Sequence, residues 1–192
     1  MSDSDVFLIS VVNNTDSAQA ISQAIQNAGA DSLRVQDVIF GLESGRFLPY
    51  HESLAINADK ILSASGLTCS AATVSSSLRA IFFAAQSILS FDVDVVIVIG
   101  IESDSSTALL LVSPDAVGRW NLMPRARLAA RSLNGIESAL RAAELESKDV
   151  TITKNGENGA VLIKETLDEL EGQSAHWGMV TMNELALLIE RI

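Results

Sequence analysis

Between Thr68 and Ser106 the chain writes out a strand, a buried helix and a second strand in close succession. Leu78, Phe82, Ala85 and Leu89 recur at helical spacing, with Ile81, Ala84 and Ile88 beside them, so the helix 75–90 is apolar over most of its surface. Such a helix has to be covered on nearly every side. The strand after it, Val93–Gly100, is a nearly continuous run of branched aliphatic residues, the pattern of a strand buried on both faces. Together they demand an α/β architecture with helix layers on both sides of a sheet. A helix start fed directly from a strand leaves N–H groups unpaired and favours negative charge, which is where α/β enzymes often set a nucleophile.

The flanking sequence continues the alternation. Val6–Val12 reads as a buried strand, Asn13–Asp16 as a turn and N-cap, and Ser17–Ala28 as a helix ended by Gly29. Val35–Phe40 is a second strand, Leu42–His51 an irregular link, Glu52–Ser65 a helix stopped by Gly66, and Leu67–Thr73 a third strand. Thr107–Val112 is another strand. Ser113–Pro124 reads as a connector and Arg125–Leu145 as a long helix with a soft point at Gly135. Asp149–Thr153 is a short strand, Asn155–Gly159 a turn, Ala160–Leu170 a helix and Val180–Glu190 a closing helix. Apolar strands alternating with helices imply a mainly parallel sheet.

Charge and cysteine usage exclude several classes. A net charge of −11 argues against binding nucleic acid or an anionic membrane through bulk electrostatics, and suits contact with a basic partner. The start, Met-Ser-Asp-Ser-Asp, is unlike a signal peptide, and the apolar runs around 80–85 and 95–101 are too short to span a bilayer. One Cys permits no internal disulfide and fits a cytoplasmic protein; with two His besides, no metal spacing stands out. No cofactor is expected.

The segment Val74-Ser75-Ser76-Ser77-Leu78 resembles the nucleophile region of the thiolase and β-ketoacyl synthase superfamily, where a Cys heads the central helix in a pattern like Cys-Ser-Ser-Ser-Leu. The likeness extends over Arg79–Glu102, and the distance from Val74 to Gly100 accepts the family pattern without a gap. Val74 then stands where the family nucleophile would be. Downstream, Ala139–Gly156 resembles the start of the family's second half. There Asn155, followed by Gly156 and Glu157, takes the place of the first catalytic His, and Ala175-His176-Trp177-Gly178 echoes a Gly-His-x-x-Gly motif one residue short. The resemblance implies a thiolase-like layered fold with a five-stranded, mixed and mostly parallel sheet. Residues 1–113 would form the N-terminal half and 114–192 a reduced second half packed on it in one compact domain. It also implies dimerisation through the strand 67–73, with a second copy or with a full-length ketosynthase, and contact with an acyl carrier protein or a coenzyme A thioester.

The chemistry then turns on which groups remain. Ketosynthases and thiolases acylate a thiolate whose pKa is lowered at a helix start, with imidazole and backbone N–H groups handling the proton and the oxyanion. With Val74 and Asn155 at two of those positions, the first reading is a non-catalytic relative, a partner or acyl-binding accessory in fatty acid or polyketide-type synthesis, with Ser75, Ser76 and Gly156 as candidate pocket residues. The second is an active acyltransferase or condensing enzyme using Cys69, which lies five residues before Val74, with His176. The third is a structural α/β protein sharing only the fold. A buried strand position is the ordinary place for Cys69, a cap the ordinary role of Ser75–Ser77, and a loop the ordinary place for His176. His51 and Glu102 are given no catalytic role, and Trp120 and Trp177 are equally compatible with packing and with lining a groove.

Overall fold

A computed structural model describes residues 5–30, 33–42, 51–90, 92–102, 105–156, 158–171 and 177–192, the side chains of 51–56 excepted. The strands are β1 (Val6–Asn14), β2 (Asp37–Leu42), β3 (Ser70–Val74), β4 (Val95–Ile101), β5 (Ser106–Val112), β6 (Ala126–Ser132), β7 (Ile152–Asn155), β8 (Trp177–Met182) and β9 (Leu185–Arg191). The helices are α1 (Ser17–Asn27), α2 (His51–Ser65), α3 (Ser77–Leu89), α4 (Pro114–Trp120), α5 (Ile136–Ala142) and α6 (Gly159–Glu171), with a single 3-10 turn at Ser147–Asp149.

All nine strands belong to one sheet in the order β3-β2-β4-β5-β1-β6-β9-β8-β7. The first five have the expected mixed character: β3, β2 and β4 run parallel, while β5 lies antiparallel between β4 and β1. The expectation of a five-stranded sheet is therefore corrected to nine strands. The additional four repeat the arrangement, since β7-β8-β9-β6 has the same order and the same strand directions as β2-β4-β5-β1. The two halves join where β1 and β6 pair antiparallel at Val6–Leu128, Phe7–Arg127 and Leu8–Ala126. Arg127 fastens this seam, because its guanidinium meets Asp5 at 3.0 Å and Glu190, its cross-strand partner on β9, at 2.5 Å. A register shift follows the seam in each strand, between Leu8 and Ser10 in β1 and between Leu128 and Ala130 in β6. Such irregularities increase twist, which helps one sheet turn around a shared interior.

That interior belongs to α3 and α6. Leu78, Ile81 and Ile88 of α3 share one core with Ile163 and Leu167 of α6 and with residues of β1, β4, β5, β8 and β9. On the other side of the first half, Ile21 of α1, Leu62 of α2 and Ala116 of α4 pack on Phe7, Phe40 and Ile97. Ala139 and Leu140 of α5 cover Met179 and Leu188 in the second half. The expectation that α3 is covered on most of its surface is met in part: seven of its thirteen residues are buried, while Arg79, Phe83 and Gln86 leave one face exposed.

Three local expectations are corrected. The stretch 125–145 is a strand and a short helix, not one long helix. Its first part carries an alternating set of buried Ala126 and Leu128 with Arg127 between them, and pairing with both β1 and β9 overrides the helix propensity of its alanines. Gly135, at φ 84°, then separates strand from helix. The stretch 180–190 is the hairpin β8–β9, turning at Asn183 (φ 53°), a residue type that tolerates the left-handed region. Its short apolar run is buried on both faces, a pattern that periodicity does not distinguish from a helix. The connector 113–124 contains α4, capped by Ser113 and started by Pro114. The third strand runs Ser70–Val74, so the pairing strand expected at 67–73 begins three residues later.

The start of α3 lies directly on β2. A Cβ on Gly41 would sit 2.3 Å from Ser77 Cα and 2.4 Å from its N, so only glycine admits the helix at this depth. Gly118, in α4, has open space at the same test. Gly41→Ala should cost about 2–3 kcal/mol by overpacking against backbone, whereas Gly118→Ala should be neutral or gain up to about 1 kcal/mol from helix propensity. Urea unfolding of the two variants checks this, and equal midpoints would contradict the packing described.

Candidate functional site

Two helix starts meet at the centre of the molecule. β3 ends at Val74, Ser75 and Ser76 follow, and α3 begins at Ser77 with the Ser76 hydroxyl accepting from Arg79 N–H at 3.2 Å. α6 begins at Gly159, where Asn158 Oδ1 accepts from Val161 N–H at 3.1 Å as its N-cap. The helices touch across Leu78 and Gly159: a Cβ on Gly159 would fall 2.6 Å from Leu78 Cβ. A fully buried hydroxyl joins them, because Ser77 Oγ accepts from Ala160 N–H at 2.8 Å and donates toward Asn158 Oδ1 at 3.4 Å.

Beneath this junction the sheet presents one row of residues in register, Val74–Gly41–Gly100–Thr107–Asn13. Val74 and Gly100, singled out in sequence by their spacing, are two strands apart in that row. Gly100 faces Ser77 and Ala160, and Thr107, its direct neighbour on β5, shares that face. Among the described residues, two buried side-chain polar atoms have no hydrogen-bond partner, Asn158 Nδ2 and Thr107 Oγ1. Buried polar groups are normally paired, so Asn158 Nδ2, beside two helix starts, is a donor with capacity for a further acceptor. Neither α3 nor α6 has an acidic residue in its first turn, so no carboxylate offsets the positive ends of the helices.

A groove of about 400 Å³ leads away from this end between β3 and α3, lined by Val74, Ala72, Ile39, Phe83 and Ser87 among others. Val74 is half-buried at its end. The chemistry available is therefore hydrogen bonding to a carbonyl oxygen at the helix starts and apolar contact along the groove.

The other sequence candidates are dispersed. Cys69 lies before β3, at the opposite end of that strand from α3, and is half-buried. Burial pushes its thiol above the ordinary range, and the Asp37 carboxylate adds to the effect. Ser76 is buried and caps α3, while Ser75 is exposed. Asn155 is exposed at the end of β7, and Gly156 N–H donates to Thr181 O at 3.3 Å. Glu157 and His176 lie outside the described residues. Glu102 is exposed beside Ser105, and Arg119 stacks over Trp120 at 5.1 Å from the ring centroid. Trp177 opens β8. Among the described residues no group of His, Cys, Asp and Glu could hold a metal ion, and no helix is long and apolar enough to cross a membrane.

Sequence reasoning overlooked Asn158 and Thr107. Asn158 carried a usable signal, since an Asn immediately before an apolar helix is a cap. Thr107 carried none, because its role depends on lying opposite Gly100. A thiol held up by burial is mostly protonated at neutral pH, so Cys69 should alkylate with iodoacetamide more slowly at pH 7 than free N-acetylcysteine, its rate climbing at higher pH. A fast component at pH 7 would reveal an activated thiolate and contradict this.

The comparisons with known proteins agree with the topology. No curated protein matches the chain. The family model described as the thiolase N-terminal domain matches residues 10–152, from within β1 to the start of β7 and thus across the whole α3 region. A match over more than half of the chain, on a mixed sheet with these helix layers, makes this protein a member of the thiolase-like superfamily through its N-terminal domain.

Proposed function

We propose that this protein is a non-catalytic thiolase-like subunit that binds an acyl thioester, serving as a partner or accessory in cytoplasmic fatty acid or polyketide-type synthesis. The observation that carries the reading is Val74: an aliphatic side chain ends β3 at the mouth of α3, and Cys69 lies at the other end of the strand. An isopropyl group cannot attack a thioester. The Ser76 oxygen is engaged as a cap and the Ser77 oxygen as an acceptor for Ala160 N–H. Two features support binding, a donor without a partner among the described residues and a groove. A thioester carbonyl would accept from Asn158 Nδ2 at the helix starts, and its acyl chain would lie in the groove beside Val74.

Intact mass after incubation with butyryl-coenzyme A, beside a Cys69→Ser control, tests the catalytic half of the reading. No adduct is expected on either protein, and a covalent adduct lost in C69S would overturn it. Thermal unfolding tests the binding half: saturating butyryl-coenzyme A should raise the Tm, and Val74→Trp, which fills the groove mouth, should remove the shift. An unchanged Tm of the wild type would sink the binding claim.

The partner is read from β3, in keeping with the family's mode of association. This strand is at one end of the sheet, among the described residues paired only with β2, and Ser70–Thr73 are exposed. An unpaired edge is a template for another strand, and a two-fold pairing of β3 with a second copy, or with a ketosynthase, would cover it. Thr73→Lys places charge on that edge. Sedimentation should show a dimer for the wild type and a monomer for T73K, and an unaltered dimer in T73K would place the interface elsewhere.

A further inference from the structure

A second groove, of about 710 Å³, runs along the exposed face of α3 and is closed on its far side by the β8–β9 turn and the end of β6. Arg79, Phe82, Phe83 and Gln86 stand at the i, i+3, i+4 and i+7 positions of α3 and supply one wall. Leu133, Met182 and Leu185 supply the opposite wall with Arg131 and Glu184. Apolar and polar side chains line the groove in equal number, and two of its large apolar side chains are openly exposed, Phe83 at 55% and Leu133 at 60%. Its volume is that of a small-molecule site.

The charge within it opposes that of the whole chain. The protein carries a net charge of −11, yet this groove holds two arginines against one carboxylate, Glu184. Among the described residues, neither Arg79 nor Arg131 forms an ion pair, whereas Arg119, Arg125 and Arg127 each do. Arg131 is half-buried, and among the described residues its guanidinium donates only to Gln86 Oε1, at 3.4 Å. A guanidinium drawn into the groove without an ion pair to Glu184 has lost water and gained little counter-charge; the same burial holds its pKa below the usual arginine range. It is poised for a carboxylate, which its planar fork accepts through two hydrogen bonds. Arg79, two turns from Gln86 along α3, adds to the positive field.

We propose that this groove binds a long-chain carboxylate, with the head group on Arg131 and the alkyl chain along Phe82, Phe83, Leu133 and Leu185. A single carboxylate suits one half-buried guanidinium; a dianionic head would meet Glu184 with a charge left over. The two grooves share Phe83, and Arg79 N–H is held by the Ser76 cap, but Arg131, which takes the head group, lies on β6 away from the junction of α3 and α6, so its replacement tests this site separately from thioester binding.

Isothermal titration of the full chain with dodecanoate, below its micellar concentration, tests the assignment. Saturable 1:1 binding is expected, with dodecanol and acetate each at least about tenfold weaker, since each keeps half of the recognition. Arg131→Gln should weaken dodecanoate by about tenfold or more, as expected for loss of a charge-assisted bond, and Arg79→Gln by only about two- to threefold through the field. Circular dichroism confirms that both variants are folded. Undiminished binding in R131Q, or dodecanol binding as tightly as dodecanoate, would overturn the proposal. So would an absence of binding, including the case in which Phe83→Asp splits a dimer and the groove is an interface between copies.

Discussion

The structure depends on the contact between two helix starts. Ser77 and Leu78 of α3 lie against Gly159 and Ala160 of α6, and the Ser77 hydroxyl closes the gap by accepting from Ala160 N–H. Helix starts repel one another electrostatically and carry unpaired donors, so bringing two together in a core costs free energy unless their N–H groups find acceptors. Here Ser76 and Asn158 act as caps, and Ser77 serves the neighbouring helix. Glycine at 41 lets α3 lie directly on β2, and glycine at 159 lets α6 approach α3. The rest of the inner layer follows, because α3 and α6 are then close enough to share one core over both halves of the sheet.

The second half repeats the first with one unit fewer. The first half places a helix and a strand, α2 and β3, between β2 and α3; the second goes from β7 to α6 with only Gly156 to Asn158 between. The repeat keeps what the junction needs, a parallel strand pair followed by an antiparallel one, and drops a strand that would lie beyond β7. A short link also brings Asn158 directly under the start of α3, where its amide donor is left without a partner. The economy of the second half and the polar character of the junction thus have a common cause.

Much of the first half was legible in the sequence because its signals are local and mutually consistent. The α3 periodicity, the continuous β4 run and the breakers at Gly29 and Gly66 all point the same way, and five strands in that region follow. The second half was misread where local preference conflicts with tertiary pairing. Ala126, Ala129 and Ala130 favour a helix, and only partners on β1 and β9 make a strand of them. Leu185–Ile189 is apolar throughout, so its period fits a strand and a helix equally well. At the candidate site, motif and spacing single out Val74, and the structure places it at the end of β3, just before α3. The Ser77–Ala160 bond could not be read this way, since it joins residues whose proximity only the folded chain creates, and neither could the partnerless state of Thr107 and Asn158.

The proposed function asks the junction to hold a carbonyl, and the aliphatic Val74 offers no group to attack it. Under that reading, binding without turnover asks only for a donor, as Asn158 Nδ2 at the helix starts, and an apolar channel, as the groove that runs from Val74 between β3 and α3. The most direct test is a map of amide chemical shifts of the 15N-labelled protein titrated with butyryl-coenzyme A. The account predicts perturbations concentrated at Ser75–Leu78 and Asn158–Ala160, the Asn158 side-chain amide among them. Perturbations that spare both helix starts, or none at all at saturation, would contradict it.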